Sequence, residues 1–420
     1  MDFISNRSFK TTIEKQAAQF PEAPFVVYDN STWKFHEILY NEMPDQIGKT
    51  CNAFLKLGIS KGDRVNIHCS NCLEYVLSLF SLGCIGAIMV PTDISISGEE
   101  WEYVLEHTKP KLILTEPDFA GSLDKILGKC TSVQNVVLCK TKQKSKFLLF
   151  SDIISEAAAE IPDVAVSPED DFAIYFGKEN GSRHDGVVLA QANYWYWAEV
   201  ISRTLKYTNA ETIFEARQIS NPMNQISSVL ASFIAGARLF IADRFNGPEW
   251  IHQVGHFAPY LQKNMARGLY GFLDADQVRQ VFSQAPTLRD GKNALKLLMY
   301  TGELNPEELT GFSTRFQTNL TRFFGMPECI MPLINPVFET GKAESIGSPT
   351  YGTKLTFIDE SGKSLSAGPG RLAIIGTPGE VFFKGYYQNE NRTAEVIKGD
   401  RFAMNFNVKC DEQGYLYVAA

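Results

Sequence analysis

The chain has 420 residues, 44% of them hydrophobic, and a formal net charge of -8. That length and apolar share provide for two or three domains with buried cores, and the acidic balance gives no basic footprint for nucleic acid or an anionic membrane. The longest apolar run, Tyr75 to Val90, falls short of the roughly 20 residues of a bilayer span and is broken by glycines, while the opening M-D-F-I-S-N-R-S-F-K lacks the apolar stretch of a secretory signal.

Residues 1 to 62 alternate helical periodicity with polar breaks that carry no chemical signal. Arg64 to Cys69 then reads as a strand, and Asn71 with Glu74 three residues on reads as a capping box for a helix ending at Gly83. Ala87 to Val90 is a strand stopped by Pro91, Gly98 to His107 a helix, and Lys111 to Thr115 and Gln134 to Leu138 are strands. Short apolar strands alternating with helices predict βαβ units and a parallel sheet covered on both faces. Residues 141 to 147, basic and polar, read as a surface connection.

The next stretch runs from a strand, Phe172 to Phe176, through a turn with Gly177, Asn180, Gly181 and Gly186 to a second strand, Val187 to Leu189. Glycine-freed N–H groups in such a turn can point at one anion, or the turn is a plain surface hairpin. A helix opens near Ala192, where Trp195, Tyr196 and Trp197 either pack in the core or line a pocket at the sheet edge. Ser227 to Ala235 is a helix, broken by Gly236, and Arg238 to Ala242 a strand. From Ser345 the pattern changes to short strands at Lys354 to Asp359, Arg371 to Gly376 and Glu380 to Phe383, separated by Gly and Pro turns, which predicts a small β-barrel or twisted antiparallel sheet.

The eight cysteines are Cys51, Cys69, Cys72, Cys84, Cys130, Cys139, Cys329 and Cys410. Cys69 and Cys72 have the spacing of a metal knuckle, with no second pair to complete it. Scattered thiols in a long chain predict a reducing, cytoplasmic setting.

The turn after Tyr175 resembles the phosphate loop of the adenylate-forming superfamily of acyl-CoA synthetases, luciferases and peptide-synthetase adenylation domains. Tyr175, Gly181, Gly186, Val187, Val188, Leu189 and Asn193 fit the family's Y-T-S-G-T-T-G-x-P-K-G-V and the V-L-T-H-x-N after it, as do the scaffold runs Leu55 to Val65 and Ser81 to Pro91. Ile374 to Tyr387 is most similar to the crotonobetaine/carnitine-CoA ligase branch. The resemblance implies an α/β fold of two doubly wound, mostly parallel sheets with helices plus a small C-terminal β-barrel. It divides the chain at 1–168, 169–340 and 341–420, and leads one to expect a lysine-bearing C-terminal domain that these residues lack.

By the same resemblance, ATP and Mg²⁺ are the implied cofactors, with CoA a candidate acceptor. Gly181, Ser182 and Arg183 stand in the phosphate loop; Gly302 and Glu303 end the adenine turn; Phe324, Gly325, Met326, Pro327 and Glu328 answer to Y-G-M-T-E; and Phe406 holds the place of the ribose-binding Asp. Glu328 is the implied catalytic residue and Mg²⁺ ligand. Asn221, at the place of the acyl-pocket His, with Gln225 and Trp197, marks the substrate side. Three departures fall on nucleotide contacts. The loop hydroxyls give way to Phe176, Gly177, Lys178 and Glu179, the Thr to Pro327, and the Asp to Phe406. If each costs on the order of 1 to 3 kcal/mol, a micromolar ATP site moves beyond millimolar.

Three readings follow. A degenerate acyl-CoA-synthetase-like protein would bind a carboxylate, an acyl group or a carrier or partner protein with little ATP turnover. An active acid–CoA or acid–carrier ligase would use Lys178, Arg183 or His184 on phosphate. A non-catalytic scaffold would use the aromatic surface alone.

Overall fold

A computed structural model describes residues 7–419 apart from 30–34, 180–181, 184, 264–267, 289, 337–341, 343, 361 and 366–367. Among these, one sheet of eight strands runs in the order Gly385–Tyr386, Val187–Ala190, Asp171–Tyr175, Ile88–Pro91, Arg64–His68, Leu112–Thr115, Asn135–Leu138, Leu148–Leu149. From Asp171–Tyr175 onward all neighbours are parallel, and the first two strands add antiparallel. Ile88–Pro91 and Leu112–Thr115 are buried at every position, as expected of strands covered by helices on both faces.

A nine-stranded sheet joins strands far apart in the chain. Its parallel centre is Asn319–Met326, Leu295–Thr301, Gly268–Asp274, Glu211–Glu215, Arg238–Ile241 and Pro24–Asp29, with antiparallel strands at both edges. Lys354–Ile358, Gly370–Ile375 and Arg401–Cys410 form the middle of a smaller, wholly antiparallel sheet. The α/β architecture expected from the sequence is therefore present, with the short C-terminal strands in a sheet of their own.

Local differences have identifiable causes. Helix Leu73–Ile85 starts from Cys72 and not from Asn71, because Asn71 is taken up elsewhere: its amide donates to the carbonyls of Arg217 and Ala242 and accepts from Ile219 N–H. Gly83 does not end that helix. It lies inside, where a Cβ would meet the Phe9 ring at 2.3 Å, and the left-handed C-cap is Gly86 at φ 68°. Glu380 to Phe383 is not a strand; its carbonyls bond to side chains of helix Gln191–Thr204 instead. The Ser227 region opens as a π-helical turn, Gln225–Leu230, before helix Ala231–Ala235, a local widening that recurs at functional sites.

The two large sheets meet at a polar junction. The Glu116 carboxylate, 2% exposed, receives Lys140 and Arg244 at 2.8 Å each and the Ser70 hydroxyl at 3.0 Å. Lys140 also binds Asp243 at 2.6 Å.

Candidate functional site

The hairpin formed by Asn319–Met326 and Cys329–Ile334 is the element on which most sequence-predicted site residues converge. Met326 pairs with Cys329, so Pro327 and Glu328 make a two-residue turn. Gly325 is required by close approach: a Cβ there would stand 1.7 Å from the Ile330 carbonyl oxygen and 3.0 Å from the Met223 sulfur. Met223 belongs to the short helix Pro222–Asn224, whose N-cap Asn221 accepts from Met223 N–H. Asn221 thus lies beside the hairpin with its carbonyl oxygen engaged locally.

Glu328 is buried, and its Oε1 accepts from the Tyr386 hydroxyl at 3.1 Å. Burial first, and the Glu328 carboxylate second, push the Tyr386 phenol above its ordinary range. Tyr175, at the end of the strand before the loop, is pushed up by burial, then by Asp93 and Glu328. Both phenols are therefore neutral near pH 7, and Tyr386 acts as a donor to the carboxylate. Arg392 lies over the Tyr386 ring at 5.9 Å, and Asn389 donates to Asp185 at 3.0 Å, which brings the far side of the phosphate loop to the same neighbourhood. Glu328 offers oxygen to a hard cation, with one of its oxygens already hydrogen-bonded.

Phe406 and Phe324 meet edge to face, ring centroids 5.2 Å apart, both half-buried. Neither ring carries a hydrogen-bond acceptor. Trp197 is fully buried and donates its indole N–H to Val381 O at 2.9 Å. Gln225 is equally buried: Oε1 accepts from Tyr194 at 2.6 Å and Nε2 donates to Tyr75 at 3.1 Å. The amide of Gln225 is thus bonded within the core, and a ligand reaching it would have to displace a tyrosine.

The adenine-turn pair lies at the end of strand Leu295–Thr301. Gly302 is in the left-handed region at φ 87°, and Glu303 is exposed, with Arg322 3.4 Å from its carboxylate and Arg279 donating to its carbonyl. In the loop after Tyr175, Ser182–Arg183 pairs antiparallel with Lys178–Glu179, which commits backbone groups to a ladder. Gly181 and His184 fall outside the described residues, as do the side chains of Lys178, Ser182 and Arg183. Tyr386 was missed by sequence reasoning; its only signal was its place in the aromatic pair Tyr386-Tyr387. A groove of about 600 Å³ between helices Gly98–Thr108 and Pro117–Leu127 contains none of these residues.

Two parallel α/β sheets and a glycine-tight hairpin holding one buried carboxylate define the architecture of an adenylate-forming enzyme. The chain belongs to the AMP-binding enzyme family, whose model matches residues 13–387. It is 25% identical over 430 residues to the crotonobetaine/carnitine–CoA ligase of Shigella sonnei (strain Ss046), covering 99% of this chain and 80% of that one. A putative long-chain-fatty-acid CoA ligase from Rhodopseudomonas palustris CGA009 superposes with a TM-score of 0.84 at 19% identity, over 99% of both chains. ATP-bound MatB from Rhodopseudomonas palustris gives 0.82 at 17% identity, over 97% of this chain and 78% of that one. The protein is thus acyl-CoA-synthetase-like. Among the described residues no helix is long and apolar enough to cross a membrane.

Proposed function

We propose that this protein keeps the frame of an acid–thiol ligase while binding nucleotide weakly, so that it holds a small carboxylate or acyl ligand with little or no ATP turnover. The observation that carries this reading is the edge-to-face contact of Phe406 with Phe324. By resemblance, Phe406 stands where a carboxylate would accept from the ribose hydroxyls, and a phenyl ring cannot accept. The losses at Pro327 and in the phosphate loop act in the same direction. The residues present therefore do not fit ATP well. In this reading Glu328 is a structural acceptor for Tyr386, and the polar groups near Asn221 face the acid.

A second reading, an active acid–CoA ligase with an unusual loop, is favoured by the retained Glu328 carboxylate and by relatives named as CoA ligases. Calorimetry with ATP and Mg²⁺ separates the two. Heats that saturate only in the millimolar range or not at all are expected; saturable micromolar binding, with pyrophosphate released in the presence of a carboxylic acid and AMP released once CoA is added, would replace the first reading with the second. Melting-temperature shifts across a panel of short carboxylic acids and acyl-CoAs then report which ligand is held.

A further inference from the structure

Cys69 follows strand Arg64–His68, Cys72 caps helix Leu73–Ile85, and Cys139 follows strand Asn135–Leu138. The fold brings their three sulfurs within 4.8 Å of one another. Among the described residues it is the only group of three or more Cys, His, Asp or Glu ligand atoms so close together. The C-x-x-C pair that lacked a partner in the linear sequence therefore has one, supplied two strands away in the sheet. All three cysteines are free, Cys69 and Cys139 buried and Cys72 partly exposed.

The ordinary reading of buried thiols is that they pack as small hydrophobes. That reading asks nothing of the sulfurs' direction. Here sulfurs from two segments far apart in the chain, residues 69–72 and Cys139, gather at one point. The Cys139 sulfur also lies 3.2 Å from Thr115 O, and the Cys72 side chain leaves the helix amides uncapped. Tetrahedral Zn²⁺ with Zn–S near 2.3 Å places its sulfurs about 3.8 Å apart, so closure requires movements of about 1 Å or less.

We propose that Cys69, Cys72 and Cys139 form a three-thiolate site for a soft divalent d¹⁰ cation, Zn²⁺ in the first place. The donor set is all sulfur, which selects such ions over Mg²⁺ or Ca²⁺. Three thiolates and one divalent ion leave a single negative charge, which the amino-terminal end of helix Leu73–Ile85 offsets. Three sulfurs leave the fourth tetrahedral position to water. Glu74 is the nearest acidic neighbour on the helix, and its carboxylate is held by Lys140 N–H at 3.1 Å. The site ties the end of one strand to the start of a helix and to a strand on the far side of Leu112–Thr115. It rests on none of the residues assigned to acid or nucleotide.

The test uses the whole chain, reduced and stripped by chelator, titrated with Cd²⁺ and watched by the ultraviolet thiolate-to-cadmium charge-transfer band, with Zn²⁺ then added in competition. One equivalent of Cd²⁺ displaced by Zn²⁺ is expected, together with a higher melting temperature. Cys72→Ser places a preferred N-cap residue at its position, so the helix is retained; Cys139→Ser retains a donor beside Thr115 O. Each should weaken metal binding by more than the roughly 100-fold that loss of an outer-shell partner costs, while the exposed Cys410→Ser leaves it unchanged. Absence of the charge-transfer band in the wild-type protein, or equal binding by folded Cys72→Ser and Cys139→Ser, overturns the proposal.

Discussion

The ring of Phe406 stands edge-on to that of Phe324, with planes inclined by 72°. Such a pair contributes about 0.5–1.5 kcal/mol beyond its buried area, and in the proposed reading it stands where a polar contact to ribose would be. Phe406→Asp combined with Pro327→Thr should lose that ring contact and gain a charged acceptor and a hydroxyl. A hydrogen bond to a charged group contributes about 1.5–3 kcal/mol, so ATP affinity measured by calorimetry should rise by about 10- to 100-fold. Unchanged binding would mean that Phe406 does not occupy the ribose position.

Trp197, together with Asn193, ties helix Gln191–Thr204 to the irregular segment around Val381. Trp197→Ala should remove both the indole bond and a large buried volume, lowering stability by about 3–5 kcal/mol in urea unfolding. Limited proteolysis should then cut first between Thr377 and Lys384. An unaltered cleavage pattern with an unaltered midpoint would show that the segment is held by other means.

Lys140 shares Glu116 with Arg244 and reaches Asp243 as well. Removing one partner of a fully buried ion pair costs about 3–5 kcal/mol; the Lys140 side chain is 27% exposed, so a smaller drop of about 2 kcal/mol is expected for Lys140→Met. Equilibrium unfolding at neutral pH measures it. A change within about 0.5 kcal/mol would mark the junction as a solvated surface network.

Asp411 predicts a pH dependence. The Lys342 ammonium at 2.5 Å, helped by Tyr415 and Gln413 N–H groups and the Tyr417 hydroxyl, lowers its carboxyl to about 2 from the ordinary 3.8. Because the folded value lies below the unfolded one, its contribution is complete above pH 3.8 and is lost as pH falls toward 2. Asp411→Asn should therefore flatten the acid limb of the melting-temperature profile in that window and leave the profile's shape at neutral pH alone. An acid limb of unchanged slope would count against this assignment.

The parallel-sheet core was legible because its strands are short, rich in apolar residues and bounded by turn residues, as at Ile88–Pro91. The helix start at Gly98 was legible, and there the cap is local, with Ser97 and Glu100 in a capping box. The cap assigned to Asn71 was displaced by one residue because distant partners, the Arg217 and Ala242 carbonyls, claim that side chain. Gly83 misled because its reason is the Phe9 ring, which no local pattern reveals. At the candidate site, Gly325 and Glu328 were visible through motif spacing. Tyr386 as the partner of Glu328, and Cys139 beside Cys69 and Cys72, depend on long-range pairing and have no periodicity to announce them.

Strand order also sets a timetable for the nascent chain. Val26 finds its parallel neighbour only at Leu239, and Val187 meets its outer one only at Tyr386. Neither large sheet can be completed by the segment that begins it, so a growing polypeptide carries apolar strand edges through much of its synthesis. Slow, chaperone-sensitive maturation is the expected cost of such sequence-distant pairing. Amino-terminal fragments ending before residue 238 should aggregate, not fold.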